Sequence, residues 1–232
     1  MFSNKIEFIH NDKLKETVAA SPKPAKNFIP KEYKRLESFL EGNLRQSTVK
    51  KCVPFLDALT FGYIIPFDQD YLVVPGETKD DFEVVPAQRD GERFESHSSV
   101  QLPPEWKRLV GHRAGKFKNQ WIIKTPPGYS CLFVHPLNHL LEDRFKILSG
   151  VVDTDTYLNP INFPFSLTIK TKQFLLKKGD PMVQVIPFKR EPWKIWSGFK
   201  NLKGKNLIQH VNMWSHWADK YKTLFWKKKS FK

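Results

Sequence analysis

Hydrophobic runs separated by short turns dominate the chain between Phe117 and Arg190. Apolar or alternating segments recur there, and proline and glycine residues separate them. This pattern is typical of the strands of a β-sandwich or distorted barrel, so we predict a mainly β fold. Pro164 and Pro187 lie within two of the predicted strands, and we expect them at edges or bulges because proline lacks a backbone N–H. The segments, in order, are NQWIIKT, PPG, YSCLFVH, GVVDTDTY, INFPFSLTIKT, KGD and MVQVIPF.

The pattern differs in the first half of the chain. Residues 1–50 indicate an N-terminal arm, in which Lys31–Leu40 has apolar positions at helical spacing and predicts a short helix. Val53–Phe67 is apolar, β-branched and aromatic, and predicts short strands. Residues 77–116 are polar, which predicts an insertion or long loop with one strand at Phe82–Val85.

The last part of the chain is basic and rich in Trp and Lys. From Arg190 onwards it holds eleven Lys or Arg and two acidic residues, and therefore nine of the fourteen net positive charges. Ile208–Trp226 has apolar residues near one helical face and predicts an amphipathic helix. We therefore predict a β domain at 51–190, between the arm and a C-terminal extension at 191–232.

Composition restricts the class of protein. The hydrophobic fraction is 40%, with 19 Phe and 7 Trp, which excludes a disordered chain. Apolar runs such as Tyr129–Leu141 are far shorter than the roughly 20 residues that span a bilayer. The first residues lack the apolar stretch of a signal peptide, so we expect a cytoplasmic protein without membrane contact. Cys52 and Cys131 have no metal-ligand spacing and are expected to be buried, reduced thiols.

Four stretches of the chain carry a resemblance to a known family. They are Ala58–Ile65 (ALTFGYII), Pro126–Tyr129 (PPGY), Gly150–Tyr157 (GVVDTDTY) and Lys178–Ile186 (KGDPMVQVI). In this order they resemble the core segments of the trimeric dUTPases. The resemblance implies a dUTPase-like β-clip fold. It also implies a homo-oligomer, a trimer, in which strand exchange satisfies open sheet edges.

The resemblance also implies roles for individual residues. The hairpin GVVDTDTY is similar to the family's uracil pocket, where Asp153 matches the Asp that orients the attacking water. Asp153 is thus the implied catalytic residue if the chain is an enzyme, and only in that case is Mg²⁺ an implied cofactor. The substrate-binding candidates are Asp155, Tyr157, Gln184 and Asn138.

Several of the family's chemical residues are replaced in this chain. The base-reading Asn is Ile147, the metal-side Asp is Ile64, and the Arg that follows Gly-Asp is Pro181. The phosphate segment is His135–His139, without the Arg and Ser that would bind phosphate oxygens. These replacements favour a non-catalytic protein with a binding or assembly role and no cofactor. A divergent nucleotide or small-molecule hydrolase that uses Asp153 is the alternative.

The whole chain is also similar to a second family. The stretches are SPKPAKNFIPKEYK, KCVPFLDALTFGYIIP, TPPGYSCLFVHPLN, GVVDTDTY and GDPMVQVIPFKREPW. They resemble an uncharacterised family, a domain of unknown function with members in tailed phages. A phage source implies a location in the host cytoplasm or in the virion.

The spacing of polar side chains suggests two further sites. On a strand, Asp153 and Asp155 would face one side, where the two carboxylates share one pocket and raise the pKa of one of them or bind a cation. The alternative is a polar turn whose Asp side chains accept backbone N–H bonds. His135 and His139 would meet only on a helix, which Pro136 disfavours, so we predict no metal site.

The basic extension has three interpretations. Aromatic rings among lysines suit single-stranded nucleic acid, while the positive charge also suits an acidic protein partner. In the third interpretation the Trp residues pack on the β core and the lysines are solvated. The residues concerned are Trp193, Trp196, Lys200, Lys203, Lys205, Trp214 and Trp217.

Overall fold

The computed structural model describes residues 5–10, 20–77, 82–87, 94–98, 103–106, 113–168, 172–199 and 220–232. The described elements are mainly β-strands, which confirms the predicted mainly β class. The strands are β1 Glu7–His10, β2 Lys23–Pro24, β3 Phe39–Leu40, β4 Asn43–Ser47, β5 Tyr63–Pro66, β6 Tyr71–Pro75, β7 Phe82–Pro86, β8 Phe94–Ser98, β9 Arg113–Phe117, β10 Trp121–Lys124, β11 Tyr129–Val134, β12 Phe145–Ile147, β13 Gly150–Val152, β14 Phe163–Leu167, β15 Phe174–Leu176 and β16 Pro181–Lys189. The α-helices are α1 Lys31–Arg35, α2 Val53–Thr60 and α3 Lys220–Leu224, and the 3-10 helices are Ala25–Phe28, Val49–Lys51 and Pro104–Trp106.

The strands pair in antiparallel fashion. The largest described sheet has the order β13-β11-β16-β5-β2, and a second has the order β12-β14-β9-β8. A three-stranded sheet, β15-β6-β7, and the pairs β1-β10 and β3-β4 complete the described ladders. Two prolines are expected at edges. Pro187 pairs only with β11, because the ladder between β16 and β5 stops at Val185, which lies opposite the first residue of β5, Tyr63. Pro164 lies in β14, between β9 and β12, where its carbonyl accepts the Leu148 N–H at 2.8 Å.

The chain divides into two compact units. The first comprises residues 1–30, 58–190 and 231–232, and holds the two larger sheets. The second comprises residues 31–57 and 191–230, and holds α1, the β3-β4 hairpin and α3. The boundaries drawn from the sequence after residues 50 and 190 stay predictions.

Aromatic side chains fill the core of the first unit. Phe117 and Phe165 are stacked with ring centroids 4.3 Å apart, and Phe67 and Phe145 contact Phe117 edge to face. These four rings are fully buried. Edge-to-face and offset pairs add about 0.5–1.5 kcal/mol each to the stabilisation from buried area. An aromatic cluster of three strands of one sheet and Phe67, which follows β5, therefore lies in this core, in agreement with the Phe-rich composition.

The segment Val53–Phe67 corrects the prediction of short strands. Residues 53–60 form helix α2, and β5 begins only at Tyr63. Pro54 lies in the first turn, where a missing N–H costs no intrahelical bond, and Leu59 is buried. The apolar composition fits a buried helix as well as a strand, so composition alone gave the wrong element.

The segment predicted as a polar insertion contributes strands to two sheets. The strand predicted at Phe82–Val85 is confirmed as β7, in which Phe82 and Val84 are buried. β8 and β9 pair with each other and join β14. The described strands of residues 77–116 therefore belong to these two sheets, and an insertion over this range stays a prediction.

The helices are short. The helix predicted over Lys31–Leu40 covers only Lys31–Arg35. Near its end, the Lys50 ammonium donates to the carbonyls of Tyr33 and Lys34 at 3.0 and 2.9 Å. Most of the amphipathic helix predicted over Ile208–Trp226 lies outside the described residues, and its described part is helical over Lys220–Leu224. Within the described ranges, no helix has the length and apolar character needed to cross a membrane.

Candidate functional site

Three chain segments meet at one edge of the five-stranded sheet. β11 lies between β13 and β16, and both neighbours run antiparallel to it. The ends of β13 and β16 therefore lie beside the start of β11. Asp153 and Asp155 follow β13, Ser130 lies near the start of β11, and Arg190 follows β16. We call these four residues the Arg190 cluster.

Asp153 and Asp155 lie in a turn. β13 ends at Val152, and the N–H groups of Thr156 and Tyr157 donate to the Asp153 carbonyl at 3.1 and 2.9 Å. The interpretation that places both carboxylates on a strand is therefore wrong. The alternative of a polar turn is confirmed, because Asp155 Oδ2 accepts the Gly128 N–H at 2.8 Å.

The guanidinium of Arg190 joins the two carboxylates. Its Nη1 and Nη2 donate to Asp155 Oδ1 and Oδ2 at 2.9 and 2.5 Å, which is the bidentate geometry favoured between Arg and a carboxylate. Nη1 also lies 3.2 Å from Asp153 Oδ1. The cation that the two carboxylates share is thus part of the chain itself.

The start of β11 completes the cluster. Pro126–Tyr129 forms a turn with Gly128 at φ +82 and a Tyr129 N–H to Pro126 carbonyl bond of 3.2 Å, as in a type II turn. Ser130 Oγ donates to Asp153 Oδ1 at 2.6 Å and accepts from Arg190 Nη1 at 3.0 Å. The turn and the strand therefore present a hydroxyl and an N–H to the two carboxylates.

The electrostatics of the cluster favour the ionised carboxylate at Asp155. The hydrogen bonds from Arg190, together with the Gly128 N–H, lower the pKa of Asp155 to about 2, although burial acts in the opposite direction. Asp155 in turn raises the pKa of Arg190. The sequence-based expectation that the pair raises one pKa does not hold for Asp155, because the guanidinium outweighs the neighbouring carboxylate.

Next to the cluster lies a buried hydroxyl pair. Thr125 Oγ1 and Thr154 Oγ1 are 2.8 Å apart, and Thr154 Oγ1 donates to Cys131 Sγ at 3.3 Å. Burial raises the pKa of Cys131 to about 11, so its thiol stays protonated at neutral pH and is a poor nucleophile. Cys131 is buried as predicted, whereas the prediction of a buried Cys52 is wrong because Cys52 is exposed.

Gln184 lies apart from the cluster and is fully buried. Its Oε1 accepts the Leu137 N–H at 2.8 Å, and its Nε2 donates to the carbonyls of Ala58 and Phe61 at 3.0 and 2.6 Å. The amide therefore connects β16 to the end of α2 and to the 135–139 turn. A contact between Gln184 and a substrate stays a prediction.

The other substrate-binding candidates are distributed around the sheet. Tyr157 is 46% exposed, and Asn138 has a φ of +59, a left-handed conformation that asparagine tolerates. Ile64 and Ile147 are both buried in the core. The structure brings Asp153 and Asp155 together but shows no described contact of either with Asn138.

The histidine segment has a packing role. The His135 ring contacts Phe145 edge to face, with centroids 5.2 Å apart, and burial lowers its pKa. Within the ranges that the structure describes, no three His, Cys, Asp or Glu side chains cluster in a way that would hold a metal ion.

The basic extension is described only in part. Trp193 and Trp196 are 87% and 62% exposed, and packing of the Trp residues on the β core stays a prediction. Trp226, further along, donates through Nε1 to Asp57 Oδ2 at 2.8 Å. The remaining residues of this predicted surface lie outside the described residues, namely Lys200, Lys203, Lys205, Trp214 and Trp217.

Comparison with known proteins gives matches only among solved structures. No protein-family model matches the chain, and no curated protein sequence is similar to it. A substituted dUTPase of Staphylococcus bacteriophage 80alpha, with dUpNHpp, matches at a TM-score of 0.41 and 10% identity over 86% of this chain and 100% of that one. A phage phi11 dUTPase of S. aureus matches at 0.41 and 9% identity over the same shares. The EIAV dUTPase matches at 0.33 and 13% identity over 57% of this chain and 82% of that one. Likenesses at these TM-scores do not establish a common fold.

Sequence reasoning missed the main partner of the acidic turn. Arg190 is 35 residues from Asp155, and no spacing rule joins the two positions. The pairing register would have found it, since Tyr129 is opposite Lys189 and the next residue, Arg190, donates its N–H to the Gly128 carbonyl. Ser130 also follows from this register, because Cys131 pairs with Val152 and Asp153 comes next.

Proposed function

We propose that this chain is a binding or assembly protein without hydrolytic activity at the Asp153 turn. The observation that carries the proposal is the position of Arg190, whose guanidinium contacts both carboxylates. A fixed internal cation supplies the positive charge that a metal ion would bring to these carboxylates. The two acidic residues then stabilise the sheet edge rather than act on a substrate.

The hydrogen bonds of the carboxylates support this proposal. A general base needs a free lone pair directed at the water and a pKa near the working pH. Both Asp155 oxygens accept bonds from Arg190 or Gly128, and the pKa of about 2 makes this carboxylate a weak base. Asp153 Oδ1 accepts the Ser130 hydroxyl and lies beside the guanidinium.

One observation favours the alternative, a divergent hydrolase. The Asp153 side chain is 62% exposed, so a substrate has access to it. The Ser130 hydroxyl and Arg190 Nη1 lie on Asp153 Oδ1, and within the described residues Asp153 Oδ2 accepts no hydrogen bond. A water on this oxygen would be the nucleophile, and a nucleotide or another small molecule would be the substrate.

Turnover of nucleotides separates the two functions. The purified chain is incubated with dUTP and the common nucleoside triphosphates, with and without Mg²⁺, and released pyrophosphate and phosphate are measured. We expect no release above a protein-free control. The matched variants are Asp153→Asn and Asp143→Asn, since Asp143 is also an exposed Asp. Turnover that disappears in Asp153→Asn but persists in Asp143→Asn would establish the hydrolase and overturn the proposal.

A further inference from the structure

Four large apolar side chains are exposed in a seven-residue stretch that begins four residues after the end of β16. We call residues Trp193–Phe199 the aromatic segment. It has neither helix nor strand. The exposed fractions are 87% for Trp193, 95% for Ile195, 62% for Trp196 and 108% for Phe199.

Such exposure indicates a surface used for binding. Single apolar residues on a surface are ordinary, but several large ones exposed close together in the chain favour a site that another molecule covers. Three of the four are aromatic and occur at every third position. Buried aromatic rings contribute strongly to interfaces because each removes about 150–250 Å² from water.

The two tryptophans differ in what they offer. The Trp196 ring lies over Gly198, so that a Cβ at Gly198 would come within 2.9 Å of its Cζ2 atom. Gly198 thus supports one part of the Trp196 ring. Among the described residues, Trp193 has no comparable cover and is 87% exposed. A flat partner can therefore stack on Trp193 and reach the exposed part of Trp196.

Charge indicates the chemistry of that partner. Lys194 lies between the two tryptophans in the sequence, and the chain from Arg190 onwards carries nine net positive charges. A field of this sign attracts polyanions. Flat rings next to cations suit the unpaired bases and phosphates of single-stranded nucleic acid, in which rings stack on bases and cations contact the backbone. An acidic protein would satisfy the charge but would provide no series of flat surfaces.

We propose that the aromatic segment binds single-stranded nucleic acid, with Trp193 and Trp196 stacking on bases and Lys194 contacting phosphate. This inference rests on the proposed binding function and names its partner. It depends neither on the Arg190 cluster nor on any reaction at Asp153. If the chain does not bind nucleic acid, the proposal that Asp153 performs no hydrolysis is therefore unaffected.

Fluorescence anisotropy tests the proposal with the full chain. The probes are labelled oligothymidylate and oligouridylate of about 20 nucleotides, a length that exceeds common single-strand site sizes. We expect Trp193→Ala and Trp196→Ala each to weaken binding roughly five- to hundredfold, the range measured for lost base stacking. Trp193→Phe keeps a flat ring and restores most of the affinity. Lys194→Gln lowers the slope of log affinity against log salt by about 1.

Controls distinguish stacking from charge alone. Leu141→Ala removes an equally exposed apolar side chain (74%) outside the segment and should leave binding unchanged. A duplex of the same length hides its base faces and should not respond to the Trp variants. The proposal is wrong if Trp193→Ala and Trp196→Ala bind like the unsubstituted chain. It is also wrong if polyglutamate binds as tightly with the same dependence on Trp, which would indicate an acidic protein partner.

Discussion

At the scale of single residues, Arg190 combines charge and shape. Its planar fork matches the carboxylate of Asp155, which is only 5% exposed, and its Nη1 also donates to the Tyr129 carbonyl at 2.9 Å. A nearly buried carboxylate without this partner would be costly, because its charge would remain out of water. A Lys at this position would provide a single ammonium group, whereas the guanidinium of Arg190 donates to both Asp155 oxygens, to Ser130 Oγ and to the Tyr129 carbonyl. The cluster therefore depends on Arg specifically.

Replacing Arg190 by Gln should destabilise the fold. We expect the Tm at neutral pH to fall by several degrees, because Asp155 loses its main partner. Differential scanning calorimetry measures the change, with Lys177→Gln as a control that removes one exposed positive charge elsewhere. Equal Tm values for Arg190→Gln and Lys177→Gln would show that net charge, rather than the cluster, determines the effect.

The same variant should change the response to acid. The pKa of Asp155 is about 2 in the folded protein, below its ordinary value of 3.8. A depressed carboxyl pKa stabilises the fold fully above about pH 4, and this stabilisation is lost as the pH falls towards 2. Arg190→Gln raises the pKa of Asp155, so its stability should fall less steeply over this interval. Parallel acid-unfolding curves for the two proteins would contradict this account.

The sequence predicts the composition of the cluster only in part. Asp153 and Asp155 are recognisable because an Asp-x-Asp pair lies in the predicted strand segment GVVDTDTY. Arg190 and Ser130 are not, because they reach the turn through strand pairing across the sheet. The pKa direction at Asp155 depends on that unseen cation. Local sequence patterns identify the two acidic residues, whereas the long-range strand register determines which side chains contact them.

At the scale of elements, the junction between α2 and β5 leaves no room for a side chain at Gly62. Gly62 has a φ of +73, and a Cβ there would lie 2.1 Å from the Val185 carbonyl oxygen of β16. The Gly62 carbonyl also accepts the Ala25 N–H at 3.0 Å. Both the left-handed backbone and the close approach of β16 require glycine.

A pair of glycine substitutions tests this junction. Gly62→Ala should lower the free energy of unfolding by about 2 kcal/mol or more, since left-handed strain of roughly 1–2 kcal/mol adds to a backbone contact that must move. Gly150→Ala is the matched control in β13, where a Cβ meets nothing within 4 Å and φ is not positive. It should stay within about 0.5 kcal/mol of the unsubstituted protein. Guanidinium denaturation gives both values. Equal midpoints for Gly62→Ala and Gly150→Ala would contradict the close approach of Gly62 to the Val185 carbonyl.

The elements also show which sequence patterns are informative. Strands bounded by Pro-Gly or Lys-Gly-Asp turns, such as β11 and β16, are predicted well because both the turn and the hydrophobic run identify them. Val53–Thr60 is predicted wrongly because a short apolar run fits a buried helix or a strand equally. β8 and β9 are missed because Phe94 and Phe117 are the main apolar residues among polar neighbours. The pairing of β8 with β9, and of β9 with β14, supplies the burial that the pattern lacks.

At the scale of the whole molecule, the first unit is built from three separate parts of the chain. Residues 231–232 return to it after forty residues that belong to the second unit. Phe231 contacts Phe61 and Tyr63 edge to face, with centroids 4.9 and 5.8 Å away. The C-terminal end of the chain therefore packs beside the start of β5. Burial of the Phe231 ring should therefore contribute to the stability of the first unit, whose other residues are 1–30 and 58–190.

Substitution of this ring tests the contribution of the chain end. Phe231→Ala should lower the free energy of unfolding by about 1–3 kcal/mol, less than the roughly 3–5 kcal/mol of a fully buried Phe because the ring is only partly buried. Phe199→Ala is the matched control, since the same side chain is fully exposed there and its loss should cost no more than about 0.5 kcal/mol. Guanidinium denaturation followed by near-UV circular dichroism reports the two values. If Phe231→Ala unfolds at the same midpoint as Phe199→Ala, the aromatic contacts at Phe61 and Tyr63 add nothing to stability. A larger loss confined to Phe231→Ala identifies the last two residues as part of the folded β unit.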